Sequence, residues 1–400
     1  MHLVTQSLSE VAASAGVRAC IEWFRRERAW INEQHLKLCR VPAPTFFEQK
    51  RAEWMTEKFR SLGWEAKIDR AGNVIATRGD EAARVAVTAH LDTVLAPRSP
   101  EEIKVAGDGR MLGPGVSDNG AGLAALIALA AAWNANPPAE EAPALIANVG
   151  EEGEGNLSGM RYLCRPPNDR RFRAFLVLDG PATDHITCQA LASRRFDVTI
   201  TGPGGHSWSD SSVSNPVHAL SRAVTFFLDE APAVSNGTGP RSSFNFGVIE
   251  GGSSINSIPS EAHAKVDLRS ENPERIDQMA ALLGAVVDRA VELENSRKGA
   301  GKVMARMKEI GSRPGGSLEE SAPMVEMMRA VDAHLGVRSH LGCSSTDANI
   351  PLSLGIPAIS IGAGGQGAGA HTAAEWYSPE GRECGLQRVL LAVCLLVAGS

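Results

Sequence analysis

The sequence predicts an α/β protein that carries an inserted α+β domain of ferredoxin-like order. Three observations predict it. Short apolar runs, the composition of buried strands, alternate with helical stretches in the first and last parts of the chain. Those runs end on histidine or acidic residues, where open α/β sheets place their ligands. From Arg195 the texture changes to a β-α-β-β-α-β series of about 120 residues. The expected division is 1–192 and 315–400 for the α/β domain and 193–314 for the insertion.

Between Val11 and Leu38 apolar residues recur at three and four, with Arg25, Arg26, Glu27 and Arg28 on the other face, which predicts one amphipathic helix. Val41-Pro42-Ala43-Pro44-Thr45 breaks it. Phe47 to Leu62 reads as a second helix stopped by Gly63, and Glu65 to Asp69 with Asn73 to Thr77 as a hairpin. The β-branched run from Val85 ends on His90, with Asp92 two residues on and facing the same way.

Next come Gly113-Pro114-Gly115-Val116-Ser117-Asp118-Asn119-Gly120 and an alanine-rich helix, Leu123 to Trp133. Asp118 is there either as an N-cap or as a ligand that the glycines bring close. Ala144 to Val149 is a buried strand ending in Gly150-Glu151-Glu152-Gly153, either a solvated turn or a functional one. Phe175 to Leu178 is a further strand, ending on Asp179.

In the insertion, strands are expected at Phe196–Thr201, Ser243–Ile249, Ala262–Arg269 and Val303–Ile310, and helices at Pro216–Asp229 and Pro273–Leu293. A helix from Ala322 to Leu335, a loop from Ser344 to Asn349 and a strand from Ala358 to Ile361 follow. The strand runs into a glycine-rich stretch that lacks the Gly-Lys-Ser/Thr of a phosphate loop; its expected use is to bring His371 into a crowded site.

Length alone accords with two domains or one large one. A hydrophobic share of 43% and a charged share of 22% are ordinary for a globular chain. The formal net charge of −6 and the absence of a dense Lys/Arg cluster argue against a nucleic-acid partner. Seven cysteines without C-x-x-C spacing read as reduced thiols of a cytoplasmic protein, neither a disulfide framework nor a zinc–thiolate site. Met1 to Gly16 has no signal pattern, and the longest apolar run, Val389 to Ala398, falls short of the roughly 20 residues that cross a bilayer. That run is expected to be a closing core helix, and no membrane partner is expected.

His90, Asp118, Glu152, Asp179 and His371 are two imidazoles and three carboxylates at or just after strand ends, a mixture suited to zinc and similar divalent cations. One bridging carboxylate and two terminal ligands per ion account for all five. The count fits a two-metal site with ions roughly 3.5–4 Å apart. Asp92 is then expected to orient His90, and Glu151, not consumed as a ligand, to act as general base on a water held between the metals.

His90-Leu91-Asp92-Thr93, Gly113-Pro114-Gly115 with Asp118, Glu151-Glu152-Gly153, Asp179, Gly204-Gly205-His206-Ser207, Asn256-Ser257-Ile258-Pro259, Asp267-Leu268-Arg269 and His371-Thr372 resemble the M20 metallopeptidases in order and spacing. That family includes peptidase T, carnosinase-type dipeptidases, glutamate carboxypeptidase and N-acyl-amino-acid deacylases. The resemblance covers the chain from about Val41 onward. It implies a zinc-exopeptidase-like mixed sheet flanked by helices, with the insertion as lid and dimerisation domain of a homodimer. It implies that His90 and Asp179 hold one metal, Glu152 and His371 the other, and that Asp118 bridges. The metals implied are zinc, with cobalt or manganese as alternatives. His206 would stabilise the tetrahedral oxyanion, and Asn256 and Arg269 would contact substrate, unless Asp267 holds Arg269 in a purely structural pair.

Many relatives carry lysine or methionine after the bridging aspartate, where this chain has Asn119-Gly120. Aspartate at 179 is like the aminopeptidases and dipeptidases, whereas carboxypeptidases and deacylases usually carry glutamate. The resemblance therefore implies an exopeptidase acting on small peptides with a free N-terminus. A deacylase or carboxypeptidase acting on an N-acyl amino acid or peptide is the alternative. A non-catalytic binding protein is disfavoured by the complete ligand set.

Overall fold

A computed structural model describes residues 7–79, 84–139, 141–166, 172–235, 239–296 and 301–399. The first six residues of the Met1–Gly16 stretch lie outside it. The chain divides into two compact units, Met1–Ala190 with Gly316–Ser400, and Leu191–Gly315.

The larger unit opens with helices α1 (Leu8–Ala13), α2 (Ala15–Arg26) and α3 (Arg28–Cys39), where the sequence predicts one helix from Val11 to Leu38. The periodicity is real, but Ser14 leaves the helical conformation and its hydroxyl caps the Val17 N–H, and the chain turns again at Glu27. Helix α4 (Gln49–Ser61) and the antiparallel hairpin β1 (Glu65–Ile68) and β2 (Val74–Thr77) follow as expected. Then come β3 (Val85–His90), the short β4 (Lys104–Val105) and β5 (Met111–Leu112), α5 (Gly120–Ala135), β6 (Ala144–Asn148), α6 (Ser158–Cys164), β7 (Ala174–Leu178) and β8 (His185–Ala190).

The smaller unit runs β9 (Ala192–Thr201), β10 (Gly205–His206), α7 (Pro216–Ser235), β11 (Ser242–Gly251), β12 (Ser257–Ile258), β13 (Glu261–Ser270), α8 (Pro273–Asn295) and β14 (Met304–Arg313). Its four long strands form an antiparallel sheet in the order β11-β13-β9-β14. Alternate residues of β9 and β13, from Phe196 to Ile200 and Ala262 to Leu268, share a core with Leu220, Phe227, Met279 and Leu283 of the two helices.

The chain then returns to the larger unit through β15 (Gly316–Ser317), α9 (Pro323–Leu335), β16 (His340–Ser344), α10 (Asn349–Ser353), β17 (Ala358–Ile361), β18 (Gln366–Ala368), β19 (Trp376–Ser378) and α11 (Arg382–Ala398). Among the described residues its main sheet has nine strands, in the order β1-β2-β6-β3-β7-β17-β8-β15 with β16 against β8. The sheet is mixed, with a parallel centre: β6, β3, β7 and β17 all run the same way. Successive residues of these strands feed two cores. Val85, Val87, Leu145 and Leu176 join helices α2, α5 and α11, and Ala86, Ile146, Phe175 and Val177 join α6 and α10. Helices on both faces explain why the central strands read as unbroken apolar runs.

Candidate metal centre

Three adjacent parallel strands end together, and each delivers part of the site. Strand β3 ends on His90, β6 runs into Glu151 and Glu152, and β7 runs into Asp179. The Asp179 N–H donates to Ile361 O at 3.0 Å, which ties the end of β7 to β17. Asp118 lies on the loop before α5, and His371 between β18 and β19. All five expected ligands are in the larger unit.

The structure brings them together. His90 Nε2 lies 3.0 Å from Asp118 Oδ1, and His371 Nε2 lies 3.1 Å from Asp118 Oδ2, so each oxygen of one carboxylate faces a different imidazole. Asp179 Oδ1 is 3.9 Å from His90 Nε2, and Glu152 Oε1 is 2.8 Å from His371 Nε2. His90 with Asp118 and Asp179, and Asp118 with Glu152 and His371, each offer donor atoms within 4.8 Å of one another. Imidazole nitrogens and carboxylate oxygens in two such groups, sharing Asp118, fit two divalent cations of zinc character.

Asp92 fastens the site twice over. Its carboxylate accepts from the Glu151 N–H at 3.0 Å, the Glu152 N–H at 2.9 Å and the Thr45 hydroxyl at 3.0 Å. His90 Nδ1 is 2.9 Å from the Asp92 carbonyl oxygen and 3.5 Å from its carboxylate, which leaves Nε2 turned towards Asp118. Glu151 and Glu152 are buried, so the solvated-turn reading of that pair is replaced. The N-cap reading of Asp118 is replaced too: Asn119 caps α5 through the Gly122 N–H. Asn119 also donates to Leu178 O and accepts from Gly180 N–H, gripping the residues on either side of Asp179.

The electrostatics follow the apposition of opposite charges. Burial alone would raise the Asp118 carboxyl, but hydrogen bonds from His371 and His90 outweigh it and hold the group below the usual carboxylate range. His371 is pushed up to about 9, chiefly by Asp118. Burial works to lower His90, yet Asp118, Asp179 and Asp92 lift it well above its ordinary value. Glu152 is raised by burial.

Backbone geometry serves the same end. His371 sits in the left-handed region at φ 65°, rare for a side-chain-bearing residue and typical of functional loops. Gly115 has φ 76°, and a Cβ there would meet Thr93 Cγ2 at 2.5 Å.

The remaining predicted residues lie in the smaller unit. His206 is exposed, and its Nδ1 faces the N–H groups of Trp208 and Ser209 at 3.3 and 3.4 Å. Accepting there leaves the Nε2–H as the outward donor. His206 pairs with Ser257 across β10 and β12, and the Ser207 N–H donates to Asn256 O, so His206 and Asn256 are neighbours. Arg269 Nε donates to Asp267 Oδ2 at 2.7 Å, while Asp267 Oδ1 takes Arg195. The Asp267 pair is therefore present, with Arg269 still partly exposed.

Sequence reasoning passed over two acids that pack near the centre. Asp347, before α10, is buried with Asn148, whose Nδ2 donates to it at 2.6 Å; burial pushes its carboxyl up to about 7. Glu375, four residues after His371, is buried against the Gly115–Asp118 loop. Neither stands in a local pattern that marks it: Asp347 lies in the polar run Ser344-Ser345-Thr346-Asp347-Ala348-Asn349, and the partners of Glu375 are more than 250 residues away in sequence.

A model of the family described as peptidase family M20/M25/M40 matches residues 86–393. YqjE of Bacillus subtilis, whose own description is "uncharacterized", is 24% identical over 352 residues, covering 83% of this chain and 89% of that protein. The cytosol non-specific dipeptidase of Escherichia coli is 25% identical over 314 residues, 65% of this chain and 62% of that one. A tripeptidase structure from Staphylococcus aureus superposes with a TM-score of 0.74 at 20% identity, covering 92% of this chain and 98% of that one, a likeness of fold. Among the described residues no helix is long and apolar enough to cross a membrane.

Proposed function

The chain belongs to peptidase family M20/M25/M40 and is a hydrolase of peptide or amide bonds, and on that footing we propose that it is a two-metal exopeptidase. Its substrates are di- or tripeptides with a free N-terminus, from which it releases the first residue. The observation that carries the metal reading is Asp118, whose two oxygens face His90 and His371 at 3.0 and 3.1 Å.

His90 and Asp179 would hold one divalent cation, Glu152 and His371 the other, with Asp118 shared. Zinc is preferred, with cobalt or manganese as alternatives. Cations there supply Lewis acidity towards the scissile carbonyl and the attacking water. Glu151 takes the proton from that water and returns it to the leaving amine. Asp92 holds Glu151 and Glu152 by their main-chain N–H groups and keeps His90 turned to the centre. His206 presents its Nε2–H to the developing oxyanion, and Asn256 and Arg269 contact the substrate. The smaller unit is proposed as lid and as the contact of a homodimer.

The choice of a free amino terminus rests on aspartate at 179. A deacylase or carboxypeptidase of the same family is the second reading, favoured by the exposed part of Arg269, which suits a substrate carboxylate. Turnover of the zinc-reconstituted protein on a plain tripeptide and on its N-acetylated form separates them. Cleavage of the free peptide alone, with release of its first residue, is expected. Cleavage of the acetylated form alone replaces the aminopeptidase reading with the second one.

A further inference from the structure

We propose that Glu375 is a positioning residue for the metal centre: its carboxylate fixes the Gly115–Asp118 backbone so that Asp118 faces both histidines. The inference rests on the reading of Asp118 as the shared ligand.

Glu375 is 3% exposed, and both of its oxygens are committed. Oε2 accepts from the Gly115 N–H at 2.7 Å, and Oε1 accepts from the N–H groups of Ser117 at 2.7 Å and Asp118 at 2.9 Å. One carboxylate thus satisfies three main-chain N–H donors of a loop whose carbonyls are met elsewhere, Gly115 O by the Gly120 N–H at 2.9 Å and Val116 O by His35 Nε2 at 2.7 Å. Charge makes these bonds stronger than a neutral acceptor would. The loop's glycines at 113 and 115, both at positive φ, give it little conformational preference of its own. Contacts from outside help to choose its shape, and Glu375 supplies three of them, all to main-chain N–H groups.

The same side chain ties this loop to the segment bearing His371. A turn from Gly369 to Thr372, closed again by the Glu375 N–H on Thr372 O, connects His371 to Glu375. The Gly113 N–H donates to the Glu375 carbonyl at 3.0 Å, and Trp376 pairs with Leu112 across β19 and β5. Asp118 and His371, 253 residues apart in sequence, are therefore braced through one residue to lie 3.1 Å apart. Glu375 belongs to none of the candidate ligand groups among the described residues. Its part is to hold a ligand's backbone, not to bind a cation.

The test is Glu375→Gln, which keeps length and volume but turns one acceptor oxygen into an N–H donor facing N–H groups. Zinc affinity is measured by competition with a chromophoric chelator on the full-length protein, beside melting of the metal-free form. Asp332→Ala, which breaks a buried pair between α9 and α11, serves as a destabilised control away from the centre. Expected is a loss of zinc affinity of about 10–100-fold in Glu375→Gln, with the control unchanged although it melts lower. If Glu375→Gln does not fold, Glu375→Asp, which keeps the charge but draws it back by one methylene, carries the same comparison. The proposal is overturned if the variant binds zinc as tightly as the parent, or if variant and control both lose affinity in step with melting temperature. A parent protein that binds no zinc removes the two-metal reading itself, and this inference with it.

Discussion

Glu151 illustrates how little of a residue's chemistry its substitution need disturb. Its main-chain N–H donates to Asp92 at 3.0 Å, so the turn that carries it is held independently of its side chain. Glu151→Gln is therefore expected to keep the metal content of the parent while kcat on a free tripeptide falls by about 10²–10⁴-fold, the usual worth of a positioned proton acceptor. Metal analysis and steady-state kinetics on one preparation check it; retained turnover removes Glu151 from the mechanism. At this scale the five candidate ligands were legible because metal chemistry demands particular side chains, and those stand beside glycine turns at strand ends. Glu375 and Asn119 were not. Their parts are set by backbone groups of Gly115, Ser117, Asp118 and Leu178 that only the folded chain brings to them. A carboxylate that accepts from distant N–H groups leaves no local pattern.

At the scale of elements, burial set what could be read. The strands β3, β6, β7 and β17 were visible as apolar runs because helices cover both faces of the sheet. The strands β8 and β16 were missed: β16 is at most half-buried and β8 alternates with polar residues, so neither forms such a run. The closing helix was foreseen only from Val389, whereas α11 begins at Arg382, because two arginines interrupt its apolar pattern. One of them, Arg388, is fully buried and grips Asp332 of α9 through Nε at 2.6 Å and Nη2 at 2.9 Å. Asp332→Ala leaves that guanidinium buried without its counter-charge and is expected to cost about 3–5 kcal/mol. Chemical denaturation of the metal-free protein measures it. Replacing both partners, Asp332→Leu with Arg388→Met, is expected to cost less than the single change, since the desolvated charges leave together. A single variant as stable as the parent would show that the pair does not hold α9 to α11.

For the whole molecule, the chain's connectivity offers a direct way to divide binding from turnover. His90, Asp118, Glu152, Asp179 and His371 all lie in the larger unit, and His206, Asn256 and Arg269 all lie in the smaller one. The smaller unit has its own core and its own sheet, and it leaves and re-enters the larger one at a single place: Ala190 and Gly316 are direct antiparallel partners of β8 and β15. Partners so placed can be joined by a two-residue Asn-Gly turn in place of Leu191–Gly315 without stretching either strand. The shortened protein is expected to fold, to bind two zinc ions with the affinity of the parent, and to lose turnover of a free tripeptide by orders of magnitude, since it lacks His206, Asn256 and Arg269, proposed above as oxyanion donor and substrate contacts. Zinc titration and peptide assays on parent and shortened forms read the two properties separately. Zinc lost together with turnover would mean that the larger unit does not keep its metal centre by itself. Zinc and turnover both retained would strike His206 from the mechanism and leave the smaller unit a part in assembly alone.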